Sequence, residues 1–253
     1  MRILICNDDG IYAPGISVLH KAVESLGERH VIAPDVERSA AGHAITLADP
    51  IKSMLVEKKG EFFGYGIGGT PADCIKLAVC AILRDTPPDL VLSGINLGSN
   101  TGISVIYSGT VSAATEGVVL GIPGIAFSLC TFKDPEWETA GRITREITEQ
   151  IIAKPLPPGV LLNVNIPNLP YEKLKGIKVT RMGRSRFIEK FYKRLDPRGR
   201  TYYWLDGSLE VHDEGDDIDI HAVRDGYVSL TPIHFDLTAY DYLKTFKCME
   251  KTF

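Results

Sequence analysis

The feature that most constrains this chain is an alternation. Across the first 165 residues, short apolar runs of buried-strand character exchange with runs of helical period. Arg2 to Asn7 is a short apolar strand. Pro14-Gly15 then opens a segment with Ile16, Leu19, Val23 and Leu26 on one helix face, and Gly27 closes it. His30 to Ala33 is a second strand, stopped by Pro34, and residues 51 to 57 and 61 to 67 read as two more. Thr70-Pro71-Ala72-Asp73 is a capping box with proline at the first helical position, predicting a helix to about Leu83. Asp89 to Leu92 is a strand, Val111 to Leu120 a helix ended by Gly121, and Gly124 to Leu129 a strand. An amphipathic helix over 136 to 153 and a strand over Leu161 to Ile166 complete the series. Such a pattern folds as an α/β layered structure, its mostly parallel sheet covered on both faces. Ligands of such sheets collect beyond the carboxyl ends of the strands.

After residue 170 the pattern changes. Residues 181–200 carry eight Lys or Arg against two acids, and residues 206–225 carry eight acids against one Arg. Strand signals at Gly176 to Thr180, Thr201 to Leu205 and Gly226 to Pro232 surround these blocks, and Tyr240 to Phe246 reads as a terminal helix. We therefore divide the chain into a core of residues 1–170 and a β-rich extension of residues 171–253. The basic block reads either as a solvated hairpin paired with the acidic block or as an entrance that attracts anions, and the first is preferred.

Bulk properties narrow the function classes. The net charge is −4, which gives no overall basic field for a nucleic-acid polymer. No apolar run approaches the ~18 residues of a membrane span, and the first residues pass directly into a strand, so a cytoplasmic protein without a membrane partner is expected. Five cysteines with no C-x-x-C pair fit reduced thiols.

The candidate chemistry lies at four loops. In "ICNDDGIYAPG", Asp8 and Asp9 stand together where the first strand stops. Two carboxylates held close repel, unless one takes a proton or a cation intervenes. A hard divalent ion suits such oxygen ligands, although N-D-D-G is also an ordinary turn sequence. "ERSAAGHAIT" supplies the hydroxyl of Ser39 and the imidazole of His43. "SGINLGSNTG" supplies the amides of Asn96 and Asn100. "YSGTVSAATEG" places Ser108, Gly109 and Thr110 at a helix start, where free N–H groups and the helix dipole favour an anion. This inventory fits a metal with a phosphate. There is no G-x-S-x-G elbow, no phosphate-binding G-x-x-x-x-G-K-[ST] loop, no G-x-G-x-x-G after the first strand and no H-E-x-x-H.

These stretches together resemble the SurE family, survival protein E, of metal-dependent nucleotidases. The resemblance rests on N-D-D-G-I-x-A-P-G at 7–15, R-S-A-A-G-H-A-I-T at 38–46 and G-T-P-A-D-C at 69–74. It continues with S-G-I-N-L-G-S-N at 93–100, Y-S-G-T-V-x-A-A-x-E-G at 107–117 and G-Y-V-S-L-T-P at 226–232. The resemblance implies a Rossmann-like core and a C-terminal extension exchanged between subunits of a homodimer or homotetramer. It implies hydrolysis of nucleoside 5′- and 3′-monophosphates, with short polyphosphate as a further substrate. One divalent ion per subunit is implied, Mg²⁺ or Mn²⁺ with Co²⁺ as a third candidate, held by Asp8, Asp9, Ser39 and Asn96. Asn100, Ser108, Gly109 and Thr110 would face the phosphate. Asp9, rather than Asp8, is the carboxylate expected to orient the attacking water, with a covalent aspartyl-phosphate at Asp8 as the rival mechanism, and His43 is a candidate donor to the leaving alkoxide.

Two readings compete. A phospho-receiver domain also ends its first strand in an acidic pair, but it needs an Asp after its third strand and a Lys after its fifth. The runs near 62–69 and 124–129 supply neither. A nucleotide-binding module without catalysis would need the phosphate cradle but not the acids.

Overall fold

The fold comes from a computed structural model, which describes residues 1–211 and 215–252. The elements run β1 (Arg2–Cys6), α1 (Pro14–Ala22), β2 (Glu28–Pro34), β3 (Ser53–Lys58), β4 (Glu61–Ile67) and α2 (Pro71–Leu77). They continue with β5 (Leu90–Leu97), α3 (Ser104–Tyr107), α4 (Gly109–Val119), β6 (Gly124–Cys130), α5 (Trp137–Ala153) and β7 (Val160–Pro167). The extension adds β8 (Ile177–Val179), β9 (Arg186–Leu195), β10 (Thr201–Glu210), α6 (Asp219–Arg224), β11 (Val228–His234) and α7 (Leu243–Phe246).

Nine strands form one sheet in the order β3-β4-β2-β1-β5-β6-β7-β11-β8. The six strands from β4 to β7 are mutually parallel. Both ends then reverse: β3 is antiparallel to β4, and β11 is antiparallel to β7 while β8 runs parallel to β11. The helices flank the sheet as two packed pairs, α1 with α5 and α2 with α4. Ile3, Leu4, Ile5, Leu92, Ile125 and Phe127 are fully buried, as expected of central strands covered on both faces. After β1 the chain moves to β2 on one side, whereas β5 lies on the other. The crevice between β1 and β5 is therefore the topological switch point, where open α/β sheets place their ligands.

Several expectations need correction. The strand over Asp89 to Leu92 does not stop before Ser93-Gly94-Ile95-Asn96. It runs on as β5 to Leu97, with its register on β6 shifted between Ser93 and Asn96. Turn-forming residues there mark an irregularity within a strand rather than a loop after it. The α-helix of α1 ends at Ala22 rather than at Gly27, and turns fill the interval. The helix from Thr70 is α-helical only to Leu77, and Ala78–Ile82 continue as a single π turn. The strands expected around the charge blocks are present as β8, β10 and β11, but strands also traverse the blocks: β9 lies within the basic one and β10 reaches the acidic one. These two strands form a separate antiparallel ribbon with Lys190 opposite Asp206. Asp213 and Glu214 of the acidic block lie outside the described residues. The terminal helix is broken into a 3₁₀ turn at Tyr240–Tyr242 and the single α turn of α7. All five cysteines are free thiols, and among the described residues no helix is long and apolar enough to cross a membrane.

Candidate active site

The site grows from the end of β1. Asn7 Nδ2 donates to Gly10 O at 2.9 Å, closing the N-D-D-G turn. Ile11 N–H donates to Pro34 O, and Arg38 N–H to Asp8 O at 2.7 Å, so the loops after β1 and β2 are tied together. The turn delivers Asp8 against the start of α4. Asp8 is 5% exposed, and Thr110 Oγ1 donates to its Oδ1. Gly109 permits the approach: a Cβ there would lie 2.7 Å from Asp8 Cβ. Burial pushes the Asp8 carboxyl above its ordinary value, against the opposing pull of the Thr110 hydroxyl and the N–H groups of Gly109 and Thr110. Asp9 is pushed up to about 6, chiefly by burial and then by the charge of Asp8, with Glu37 adding to the rise and the Leu97 N–H opposing it. The Asp8 charge thus adds to the cost of ionising Asp9, a frustration that a captured cation relieves.

The ends of β2 and β5 and the start of α4 supply the surroundings, braced by β6 and β7. Asn96 Nδ2 donates to Gly98 O at 2.8 Å, which leaves its amide oxygen as the ligating end. Asn100 is held from four directions. Its N–H donates to Asn165 Oδ1 at 2.8 Å and its Nδ2 to Ser128 Oγ at 2.8 Å, while its carbonyl accepts from Asn163 Nδ2 and Asn165 Nδ2. Ser108 caps α4, its Oγ accepting from Val111 N–H at 3.1 Å. Ser39 is exposed, and its Oγ donates to Glu37 at 2.6 Å.

Asp8, Ser39, Asn96, Asn100 and Ser108 line one hollow of about 230 Å³, with Tyr107 and Phe132 on its rim. The other named residues stand apart from that lining. Asp9 is next to it in sequence and half-buried; Thr110 is fully buried behind Asp8, and Gly109 lies against Asp8. His43 is directed elsewhere. Its Nε2 lies 2.7 Å from Glu116 Oε2, and the same buried carboxylate pairs with Lys76 Nζ at 2.6 Å. Burial raises the Glu116 pKa, but the hydrogen bonds and charges of His43 and Lys76 outweigh it and hold the group below its usual range. The imidazole expected to serve the leaving group is therefore engaged in fixing the loop that carries it.

A second carboxylate fixes the same loop. Asp73 accepts from Thr46 N–H at 2.9 Å and Thr46 Oγ1 at 2.6 Å while completing the capping box with Thr70. Sequence reasoning read Asp73 as a cap alone and did not reach Glu116, Asn163, Asn165 or Ser128. The asparagines did leave a signal. "LLNVNIP" puts two polar side chains on one face of an otherwise apolar buried strand, and buried amides demand partners.

Among the described residues, no group of three or more His, Cys, Asp or Glu converges to hold a metal. A cation here must draw on amide and hydroxyl oxygens beside the two acids, which suits a hard ion that keeps several waters.

Fold and site together define an α/β protein with an oxygen-rich hollow at its topological switch point. The chain belongs to the SurE family: the family profile described as "Survival protein SurE" matches residues 3–189. It is 47% identical over 245 residues to a "5'-nucleotidase SurE" of Syntrophobacter fumaroxidans, covering 97% of this chain and 98% of that protein. It is 50% identical over 247 residues to the protein of the same name from Desulforamulus reducens, covering 96% of each. The crystal structure of the SurE protein from Aquifex aeolicus aligns with a TM-score of 0.86 at 43% identity, covering 99% of this chain and all of that one.

Proposed function

We propose that this chain is a metal-dependent 5′-nucleotidase. It would release inorganic phosphate from nucleoside 5′-monophosphates, with 3′-monophosphates and short polyphosphate as further substrates. The observation that carries the reading is the meeting of Asp8 with the N-terminus of α4 beside Asp9, in a hollow that adds Asn96, Asn100, Ser39 and Ser108. The near-full-length likeness to proteins named 5'-nucleotidase SurE supports it.

The donor set fits one hard divalent ion per subunit, Mg²⁺ or Mn²⁺ and then Co²⁺, held by Asp8, Asp9, Ser39 and Asn96. Such an ion, when bound, lowers the pKa of a coordinated water and screens phosphoryl charge. The chain's own groups do the rest. Thr110 and Gly109 steady Asp8 and direct the positive end of the α4 dipole toward the hollow. Asn100 and Ser108 line it on the side where phosphoryl oxygens would take donors as charge redistributes. Asp9, half-buried beside Asp8, orients the attacking water as a carboxylate.

The same reading gives the extension of residues 171–253 to an exchange between copies in a dimer or tetramer, and its support is surface chemistry. Phe191, Trp204 and Leu205 on the ribbon are each more than half exposed. Release of phosphate from AMP with Mn²⁺ or Mg²⁺, abolished by EDTA, tests the catalytic reading. Unchanged release under EDTA would end the metal assignment, and no release from any nucleoside monophosphate would end the function.

A further inference from the structure

The loop of residues 98–104 bears Asn100 and runs along the hollow to Ser104. On its inner side the core holds it: Asn163 and Asn165 of β7 grip the main chain of Asn100. Two residues further on, the grip passes to the extension. Asp219 of α6 is fully buried, and its Oδ2 accepts from Gly102 N–H at 2.8 Å. Its Oδ1 accepts from Gly183 N–H at 3.1 Å and Ile220 N–H at 2.8 Å. Ile103 N–H donates to Ser185 O, and Ser185 is itself buried. Gly102 has φ +54, and a Cβ there would lie 2.1 Å from Ser185 Oγ, so the loop and the 183–185 segment are packed without spare room.

A carboxylate is the group this place requires. Three N–H donors converge on it, and an ionised Asp offers acceptors only. An amide in its place would turn a donor toward a donor and leave a buried N–H without a partner.

We propose that Asp219 is a positioning residue for the nucleotidase reaction: from the extension it holds the 98–104 loop so that Asn100 stays presented to the phosphate. This rests on the reading of Asn100 given above. It also makes the extension part of the catalytic device, since removing its carboxylate acts on a loop of the core.

The test uses the full-length chain as wild type, Asp219→Asn and Gly102→Ala, each assayed well below its melting midpoint. Four quantities are measured: kcat and KM for AMP with Mn²⁺, inhibition by inorganic phosphate, Mn²⁺ affinity by paramagnetic resonance without nucleotide, and calorimetric phosphate binding. Asp219→Asn should raise KM and the phosphate inhibition constant together by about 10- to 100-fold, as misplacement of a positioned group does. Mn²⁺ affinity should change far less, because Asp8, Asp9 and Ser39 sit on other loops and Asn96 lies within β5, ahead of the braced stretch. Gly102→Ala should move the same two constants in the same direction and reads the brace even where Asp219→Asn does not fold. Wild-type KM and phosphate affinity in a folded variant would overturn the proposal. So would a loss of Mn²⁺ affinity equal to the loss of phosphate affinity, which marks general loosening. An inactive wild-type chain would remove the nucleotidase reading instead, and phosphate binding would still decide whether Asp219 holds the loop.

Discussion

The carboxyl edge of β1 and β5 and the β9–β10 ribbon are built on opposite terms. At the sheet edge, polar groups are buried and tied: Asp8 to Thr110, Glu116 to His43 and Lys76, Asn100 to three side chains. On the ribbon, aromatic and charged side chains stand in solvent, with Trp204 at 65% and Phe191 at 64% exposure. The first region has its geometry fixed by its own chain, where a small change in one partner leaves a buried group unsatisfied. The second has little to lose within one chain and gains only from a surface that covers it.

That contrast orders the expected effects. Asp8→Asn should cost most, about 1000-fold or more in kcat/KM with AMP, because it removes the anionic charge of a proposed ligand and weakens the charge-assisted bond accepted from Thr110. Titrating Mn²⁺ into the same variant should show the loss without nucleotide, and wild-type turnover would remove the metal site from the account. Next comes Glu116→Gln, which takes the charge from a buried carboxylate between the His43 imidazole and the Lys76 ammonium. Because His43 and Lys76 are partly exposed, a loss of about 1–3 kcal/mol is expected, read from urea melts.

This second effect has a pH signature. The folded Glu116 pKa lies below its ordinary value, since the His43 and Lys76 bonds overcome the opposing effect of burial. A depressed carboxylate contributes stability that is present above its unfolded pKa and is lost as pH falls through the folded one. The stability gap between wild type and Glu116→Gln should therefore be full at neutral pH and close as pH drops below the ordinary glutamate value. A gap that stays constant down the acid limb would show that lost packing, not charge, separates the two proteins.

The smallest effects belong to the ribbon. Lys193→Glu with Arg194→Glu should leave single-chain stability within about 0.5 kcal/mol, as exposed substitutions do. It should also leave kcat/KM for AMP and its salt dependence unchanged, and a steep new salt dependence would give the basic block a steering role. Where copies exchange the extension as proposed, Trp204→Ser should shift the population toward smaller species in sedimentation while leaving the fold of the chain intact.

What was legible in the sequence follows the same division. The parallel core was readable because buried strands are short and apolar and helix faces repeat, as with Ile3 to Ile5 and Ile16, Leu19 and Val23. The acid pair and the helix start at Ser108 were readable because their chemistry is local: a turn, a cap, two like charges. The continuation of β5 through Gly94 was not, because Ser-Gly-Ile-Asn has loop composition and only the neighbouring β6 keeps it extended. The engagement of His43 was hidden for another reason. Glu116 lies 73 residues away, and no local pattern announces a partner at that distance. The ribbon misled because neither of its faces is buried, so charge and apolar residues do not sort by alternation along Arg186–Leu195.

Manganese located directly in a crystal addresses the paired acids with the fewest intermediate assumptions. After soaking at saturating Mn²⁺, an anomalous peak should appear in contact with both Asp8 and Asp9, with Asn96 within coordinating reach. An empty position between two ordered carboxylates, at that concentration, would contradict the account.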